Sequence, residues 1–440
     1  MLRNSNMTGR LFAAMRALGM MLALGLPAVG MAQEQATPVL NSGDTAWMLT
    51  ACALVLFMTI PGLALFYGGL VRKKNIVSTL MQCFVICCLV TVLWMVAGYG
   101  IAFGGGDNPY FGMSKFFLQG VTMDSMIGSI PETVFIMFQM TFAIITPALI
   151  IGSFVERIKF GGMLAFMGLW LLLVYAPIAH MVWGGGLQAQ MGVLDFAGGS
   201  VVHINAGVAG LIACMMLGKR KEFSLKANLF QPSNITYTMV GASMLWVGWF
   251  GFNAGSALAA NGLAGIAMLN TQIAAAAAAL TWMASEWIMR GKPSLVGISC
   301  GAVAGLVAVT PAAGFVDMGG ALVIGLLAGT LCLIGGTYLK HTLGYDDSLD
   351  VVGVHGIGGI LGALMTGVFA VEAVGGKTGL LEGNSAQLMT QFIGVAITIG
   401  YSALVTTAIL IAVNMTIGLR VTPRDEDTGL DLSTHGEKID

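Results

Sequence analysis

The feature that most constrains this chain is a series of long apolar runs with almost no charged residue inside them. Eleven runs are long enough to cross a bilayer, whose hydrocarbon core takes roughly 20 helical residues. They cover residues 45–70, 76–103, 133–155, 160–183, 198–217, 235–257, 264–288, 295–311, 318–338, 351–370 and 388–417. Runs of this length favour helices, which satisfy their own backbone hydrogen bonds in lipid. We therefore predict an all-α polytopic membrane protein with eleven transmembrane helices.

Composition indicates the same environment. Hydrophobic residues make up 57% of the chain and charged residues 9%, against about a quarter charged in an ordinary soluble domain. A formal net charge of -1 and the absence of a long basic cluster argue against a nucleic-acid partner. The seven cysteines all lie in apolar runs, and no metal-ligand spacing or paired carboxylates occur. We expect a lipid partner, no disulfide framework, no metal, no cofactor and no enzymatic activity.

The first 32 residues are typical of a cleaved signal peptide. Arg3, Arg10 and Arg16 precede a short apolar run at 18–29, which ends in small residues. The alternative is a first membrane helix, but the run is shorter than the ~20 residues that a bilayer requires. The predicted organisation is a signal peptide (1–32), a periplasmic segment (33–44), an eleven-helix membrane domain (45–420) and a cytoplasmic tail (421–440).

Lysines and arginines follow the odd-numbered apolar runs. Of the 20 in the chain, three lie in the predicted signal peptide, and only Lys115 and Lys377 of the rest fall on the opposite side of the predicted membrane. Basic residues of short loops remain in the cytoplasm. We predict a bacterial inner-membrane protein with a periplasmic mature N-terminus and a cytoplasmic C-terminus.

Two short segments indicate an internal repeat. Asp195 and His203 introduce the fifth run, while Asp350 and His355 introduce the tenth, which runs in the opposite direction. In each segment a glycine follows the aspartate by three residues. Two inverted halves of five helices would account for ten of the eleven runs and leave one extra helix. A chance match of so short a pattern is the alternative.

Few ionisable groups lie inside the runs. Glu286 is near a cytoplasmic end, His180 is near an outer end, and His203 and His355 lie deeper. Carriers of bulky ions and pumps usually embed acids or bases, so we expect a small solute that crosses nearly uncharged. The alternative for each histidine is a packing role with a bond to a neighbouring carbonyl. Sequence position puts His203 in the outer third of the membrane and His355 in the inner third.

Aromatic residues near the ends of the runs or beside glycines form the second group of candidate functional residues. Many such residues form an interfacial belt. Ring faces with a hydroxyl can also bind an ammonium-like cation without a full negative charge. The candidates are Phe66, Tyr67, Phe142, Trp183, Trp249 and Phe252.

Four longer motifs, together with the tail, resemble the ammonium transporters (Amt/Mep/Rh family), in particular the bacterial Amt branch. They are AHMVWGGG at 179–186, DFAGGSVVHINAG at 195–207, GWFGFNAGS at 248–256, GVHGIGG at 353–359, and the tail segment GLDLSTHGE at 429–437. The resemblance runs from Ala46 through the tail. It implies the Amt/Rh fold, with eleven helices and one pore in each subunit of a homotrimer.

The resemblance also implies roles for particular residues. Trp183, Phe142 and Ser256 would bind ammonium at the outer entrance, with Asp195 ordering this vestibule and Thr310 helping to line it. Phe142 and Phe252 would stack as a gate beneath it. The pore would contain the twin histidines His203 and His355, together with Trp249 and Phe66. We expect Asp195 to hold helix ends rather than to take the substrate's proton, because a carboxylate with several donors has a lowered pKa.

The resulting hypothesis is a channel that binds ammonium, deprotonates it and conducts ammonia past the histidines. A docking surface for a PII-type regulator near the tail is a further implication of the resemblance. Alternatives are a Rh-like ammonia or gas channel, an ammonium sensor, and a membrane enzyme with histidine-bound metal. The tail is too short for a fused signalling domain, and a metal would usually require further ligands.

Overall fold

A computed structural model describes residues 39–221, 223 and 231–439. The predicted signal peptide and the first half of the predicted periplasmic segment lie outside these residues. Eleven helical segments follow one another at the predicted positions. They are α1 (Ser42–Leu70), α2 (Lys73–Phe103), α3 (Glu132–Ile151), α4 (Phe160–Gln190), α5 (Gly199–Leu217), α6 (Ile235–Gly255), α7 (Gly262–Arg290), α8 (Leu295–Val309), α9 (Met318–Leu343), α10 (Val352–Phe369) and α11 (Ser385–Thr416).

The chain is a multi-pass membrane protein. Among the described residues, nine helices are long and apolar enough to span a bilayer by length and composition. The other two, α6 and α8, occupy the sixth and eighth predicted runs, and α8 is the shortest of the eleven. The third run was predicted to reach residue 155, but α3 ends at Ile151. Residues 152–157 instead form turns that bring Glu156 and Arg157 into a network of ion pairs.

Polar side chains cap the N-terminal ends of several helices. Each accepts a hydrogen bond from a backbone N–H of the first turn, which has no partner within the helix. The capping residues are Asn234 for α6, Asn261 for α7, Ser294 for α8 and Asp317 for α9. These caps explain why the helices of the second half begin close to the predicted positions.

Helices α5 and α10 are related in a way that supports the inverted repeat. Each opens with a π-helical turn, Gly199–Ile204 in α5 and Val352–Ile357 in α10, and each turn carries a histidine. An aspartate eight residues before each histidine, Asp195 or Asp347, accepts backbone N–H bonds at the helix start. The predicted partner Asp350 is therefore wrong. Its side chain turns away from the helix start and pairs with Lys340 of α9.

The two helices cross at glycines. A Cβ atom added to Gly207 would lie 2.4 Å from the Cα atom of Gly356, and one added to Gly359 would lie 3.1 Å from the Cβ atom of His203. Only glycine lets the backbones approach so closely. The N-terminal halves of α5 and α10 therefore pack against each other.

Lys115, which lies on the opposite side of the predicted membrane from most other basic residues, has an acidic partner there. Lys115 forms an ion pair with Glu132 at the start of α3, and Tyr99 donates a 2.7 Å hydrogen bond to the same carboxylate. Nearby, a short hairpin of β1 (Met126–Ile127) and β2 (Ile130–Pro131) leads into α3. Lys115 is thus neutralised locally.

Loops at the end of the bundle opposite the Lys115–Glu132 pair meet at a buried charge network. The Glu156 carboxylate binds Arg72 and Arg220, and Arg220 also binds Asp346. Burial raises the pKa of Glu156, but the positive charges of Arg220 and Arg72 outweigh it and lower the pKa to about 2. The network holds the ends of several membrane helices together.

The tail packs against this surface. After a short helix, α12 (Pro423–Thr428), the Asp431 carboxylate accepts the backbone N–H groups of Val77 and Ser78 near the start of α2. The Asn75 side chain bridges the two layers, because it accepts from Leu430 N–H and donates to Glu156. The tail is therefore an ordered part of the surface formed by these loops.

Candidate functional site

A cavity of about 300 Å³ lies at the outer end of the helix bundle. Three predicted binding residues, Phe142, Trp183 and Ser256, line it. The remaining lining residues are Phe103, Phe135, Phe138, Gln139, Val182, Phe196 and Leu258. Aromatic faces with one hydroxyl and one amide suit a small cation. No carboxylate is among the lining residues.

Two local bonds set the shape of this cavity. The Trp183 indole N–H donates to the backbone carbonyl of Asp195 over 3.0 Å, and the Trp183 ring stands edge-on to Phe142 at 5.8 Å. The Ser256 hydroxyl lies just beyond the end of α6 and donates to the carbonyl of Phe252 over 2.9 Å. Since that hydroxyl hydrogen is used, its oxygen lone pairs remain available to accept from a cation.

Two stacked phenyl rings close the floor of the cavity. Phe142 from α3 and Phe252 from α6 have ring centroids 4.1 Å apart with planes inclined by 26°. Both side chains are buried. The stacked rings lie between the cavity and the histidines.

Below the gate the histidines come together. His203 stacks at 5.5 Å on Trp249 and lies 6.1 Å from Phe252. The Nδ1 atoms of His203 and His355 are 3.3 Å apart. The rings thus form one continuous column from Trp183 to His355.

The predicted depths of the two histidines are corrected by this contact. Sequence position alone placed them in opposite thirds of the membrane, as if α5 and α10 lay side by side along their full length. The helices instead cross near their N-terminal halves at Gly207 and Gly356. This offset brings both histidines to one level.

Thr310 lies away from the outer cavity that it was expected to line. The Thr310 hydroxyl accepts from the Trp249 indole N–H over 2.9 Å and does not line the outer cavity. It holds Trp249 beside His203. Phe66, predicted to lie in the pore, packs beside Tyr67 near the C-terminal end of α1, with ring centroids 5.9 Å apart.

Asp195 holds the start of α5. Its two carboxylate oxygens accept four backbone N–H bonds, from Gly198, Gly199, Ser200 and Val201. The expected donors are present, but the expected lowering of the pKa is wrong. Burial raises the pKa of Asp195, and the four donors only partly offset it.

Sequence reasoning missed seven of the residues that line the cavity, including four from α2 and α3. Phe138 precedes Phe142 by one helical turn, with ring centroids 4.9 Å apart, so helical spacing could have identified it. Gln139 follows on the same helix. Phe103 belongs to α2 and stands edge-on to Phe135 of α3 at 5.1 Å. Phe103 and Phe135 lie far apart in the sequence, so no short window contains both.

Comparison with known proteins identifies the family. A family model described as Ammonium Transporter Family matches residues 46–439. The chain belongs to the ammonium transporter family. An ammonium transporter of Aquifex aeolicus is 50% identical over 91% of this chain and 93% of its own length. An ammonium transporter of Bacillus subtilis is 46% identical over 91% and 98%.

Solved structures agree with this assignment. The crystal structure of Saccharomyces cerevisiae Mep2 matches with a TM-score of 0.82 at 33% identity, covering 87% of this ammonium transporter and 88% of Mep2. A structure described as a sensor Amt protein also matches with a TM-score of 0.82, at 27% identity, covering 89% and 98%. The predicted fold is confirmed, and it is shared by proteins described as transporters and as a sensor.

Proposed function

We propose that this ammonium transporter binds ammonium in the outer cavity, removes its proton and conducts ammonia past the twin histidines. The observation that carries the proposal is the continuous column of rings, from Trp183 through stacked Phe142 and Phe252 to the His203–His355 contact. The cavity offers cation-π faces and the Ser256 oxygen. The column offers only uncharged rings.

The absence of a charged side chain from the column argues for a neutral permeant. A cation that left the outer cavity would lose its water and meet phenyl and imidazole rings without a counter-ion, which is costly in a low-dielectric interior. Potassium cannot lower this cost by losing a proton, but ammonium can. Selectivity then follows from chemistry rather than from size.

The histidine pair suits a solute that both donates and accepts hydrogen bonds. In a contact between two Nδ1 atoms, one nitrogen carries the hydrogen and the other accepts it. The Nε2 atom of His203 is buried and has no hydrogen-bond partner among the described residues. It is therefore available to ammonia.

The test is the current from purified protein in a supported bilayer after an ammonium pulse, with a potassium pulse as control. We expect a response to ammonium alone. Replacing His203 and His355 together by leucine should abolish the response or its selectivity. The matched control is His341→Leu, which removes an exposed histidine at the end of α9. Unchanged ammonium flux and potassium exclusion in the double variant would refute the proposed pore.

The assembly and location complete the proposal. We place the chain in a bacterial inner membrane as a homotrimer, with the mature N-terminus in the periplasm and the tail in the cytoplasm. Exposed apolar side chains on several helices, such as Phe84, Phe392 and Leu404, support contact with lipid or a second subunit. The ordered tail beside the basic loops supports docking of a PII-type regulator. Crosslinking and co-purification with such a regulator would test these points.

A sensing role is the second candidate, because the solved sensor Amt protein superposes on this chain as well as Mep2 does. A gene deletion separates the two roles. Loss of ammonium uptake indicates transport, whereas loss of an ammonium response with normal uptake indicates sensing. A Rh-like channel differs by electroneutral gas passage, which would give a vesicle pH change without current.

A further inference from the structure

The two capping acids differ in how their oxygens are satisfied. Both Asp195 oxygens accept backbone hydrogen bonds. The Oδ2 atom of Asp347 accepts from the Val352 N–H over 2.8 Å. Its Oδ1 is buried and has no hydrogen-bond partner among the described residues. A buried carboxylate oxygen without a donor is unfavourable, and a proton on it would remove the charge.

Asp347 also lies close in sequence to His355, one of the two histidines. Val352, which bonds to its Oδ2, is the first residue of α10, and His355 follows three residues later. That separation is less than one turn of α-helix. Asp347 therefore occupies the cytoplasmic start of the helix that carries the inner histidine.

We propose that Asp347 accepts the proton at the inner end of the His203–His355 pair and releases it to the cytoplasm. The inference rests on the proposed function, in which ammonium is split into ammonia and a proton at the outer cavity. The protonated imidazole loses its N–H proton and Oδ1 gains one as an O–H bond, so the imidazole and the carboxyl group are both neutral after the step. Loss of that proton to cytoplasmic water restores the carboxylate. One proton and one ammonia cross for each ammonium, which moves one positive charge.

The surroundings of Asp347 support proton uptake near neutral pH. Burial and the charge of Asp350 raise the pKa of Asp347, while Lys340 opposes the shift. The buried Tyr345 hydroxyl has no hydrogen-bond partner among the described residues, and it lies within electrostatic range of Asp347. The other titratable or charged groups around this site are Asp346 with its partners Arg157 and Arg220, Cys214 from α5 and Tyr67 from α1.

The decisive variant is Asp347→Asn in the full-length protein in a supported bilayer. An asparagine oxygen still accepts from Val352 N–H, so the helix cap remains, but the side chain cannot take up a proton. We expect the ammonium-evoked current to fall at least tenfold. Asp347→Glu, which restores a titratable group, should recover current. The matched control Asp350→Asn should stay within twofold of wild type at neutral pH.

A second measurement needs no change at Asp347. In the wild type, the current should fall as the cytoplasmic pH is lowered, because Asp347 remains protonated and cannot accept. Asp350→Asn removes a neighbouring negative charge, so the fall should move to lower pH. A purely structural role for Asp347 predicts no such shift.

The outcomes separate the inference from the function on which it rests. Wild-type current retained in Asp347→Asn would overturn the role of Asp347 alone. Ammonium uptake by the wild type without current would also overturn it, while leaving the channel function intact. Absence of both uptake and current in the wild type would overturn the proposed function and this inference together.

Discussion

The backbones of Gly207 and Gly356 touch where α5 crosses α10, and the contact is not symmetric. A Cβ atom on Gly207 would lie 2.4 Å from the Gly356 Cα, whereas a Cβ on Gly356 would lie 3.6 Å from the Gly207 Cα. The first distance is a clash with backbone, and the second is an ordinary contact. The spacing of the two histidines therefore depends on the absence of a Cβ atom at Gly207.

We expect Gly207→Ala to force the helices apart, to cost about 1–3 kcal/mol of stability as overpacking does, and to abolish ammonium current. Gly356→Ala should keep most of the current. Thermal unfolding in detergent and the bilayer assay measure both effects. Equal behaviour of the two variants would contradict the crossing geometry.

Substitutions of Asp195 test whether this residue caps the start of α5 or accepts the substrate's proton. Asp195→Asn retains one acceptor oxygen of two, so some of the four backbone N–H groups lose their partner. Each buried donor left unpaired costs about 1–3 kcal/mol. We expect a lower unfolding temperature but measurable current, and Asp195→Ala should lose both. Full stability of Asp195→Asn with no current would instead indicate that Asp195 takes the substrate's proton.

The bond from Trp249 to Thr310 should be measurable as a pairwise energy. Trp249→Phe and Thr310→Val each remove the 2.9 Å hydrogen bond between the indole N–H and the hydroxyl. A double-mutant cycle on unfolding should give a coupling of about 1 kcal/mol. The single variants should also weaken ammonium flux, because Trp249 stacks on His203. Additive losses of stability would show that the bond contributes nothing.

Stability at low pH should depend on Glu156. Its pKa is lowered from 4.5 to about 2 in the folded protein by Arg220 and Arg72, against the opposing effect of burial. The ion pairs then stabilise the protein fully above about pH 4.5, and the contribution is lost as pH falls toward 2. Thermal unfolding as a function of pH measures this, and Glu156→Gln should flatten the curve in that range. A wild-type curve already flat there would contradict the assignment.

The tail should detach when its cap is removed. Asp431→Ala leaves the N–H groups of Val77 and Ser78 without their acceptor, at a cost of about 0.5–2 kcal/mol. We expect faster proteolysis of residues 421–439 and no loss of the outer cavity. Asp425→Ala is the matched control, because the half-buried Asp425 bonds within the tail itself. Equal protection of both variants would show that Asp431 does not hold the tail.

Hydropathy was sufficient to predict the positions of the helices, because it depends on a short window of sequence. The Phe142–Phe252 gate and the paired histidines were expected from the family resemblance, and the structure brings them together. Their relative depth was not predictable, because it depends on contacts between glycines of distant helices.

The counterpart of Asp195 in the second half of the repeat was predicted wrongly for a related reason. The short pattern at Asp350 looked like the repeat, but the correct spacing belongs to Asp347, three residues earlier. Only the hydrogen bond to Val352 distinguishes them. Likewise, the outer cavity draws Phe103 and Phe135 from separate helices, so no local signal marks them.

The bond between Asp431 and the start of α2 has a consequence for how the protein is made. The carboxylate and the Ser78 N–H that it accepts are separated by 353 residues. At about 5–20 residues per second, a ribosome needs roughly 20–70 seconds to synthesise that length of chain. The second membrane helix is thus synthesised long before the carboxylate that binds its first turn, and this surface is completed only as synthesis ends. A nascent chain stalled before residue 431 would have its helices in the membrane while the N–H groups at the start of α2 still lacked this acceptor.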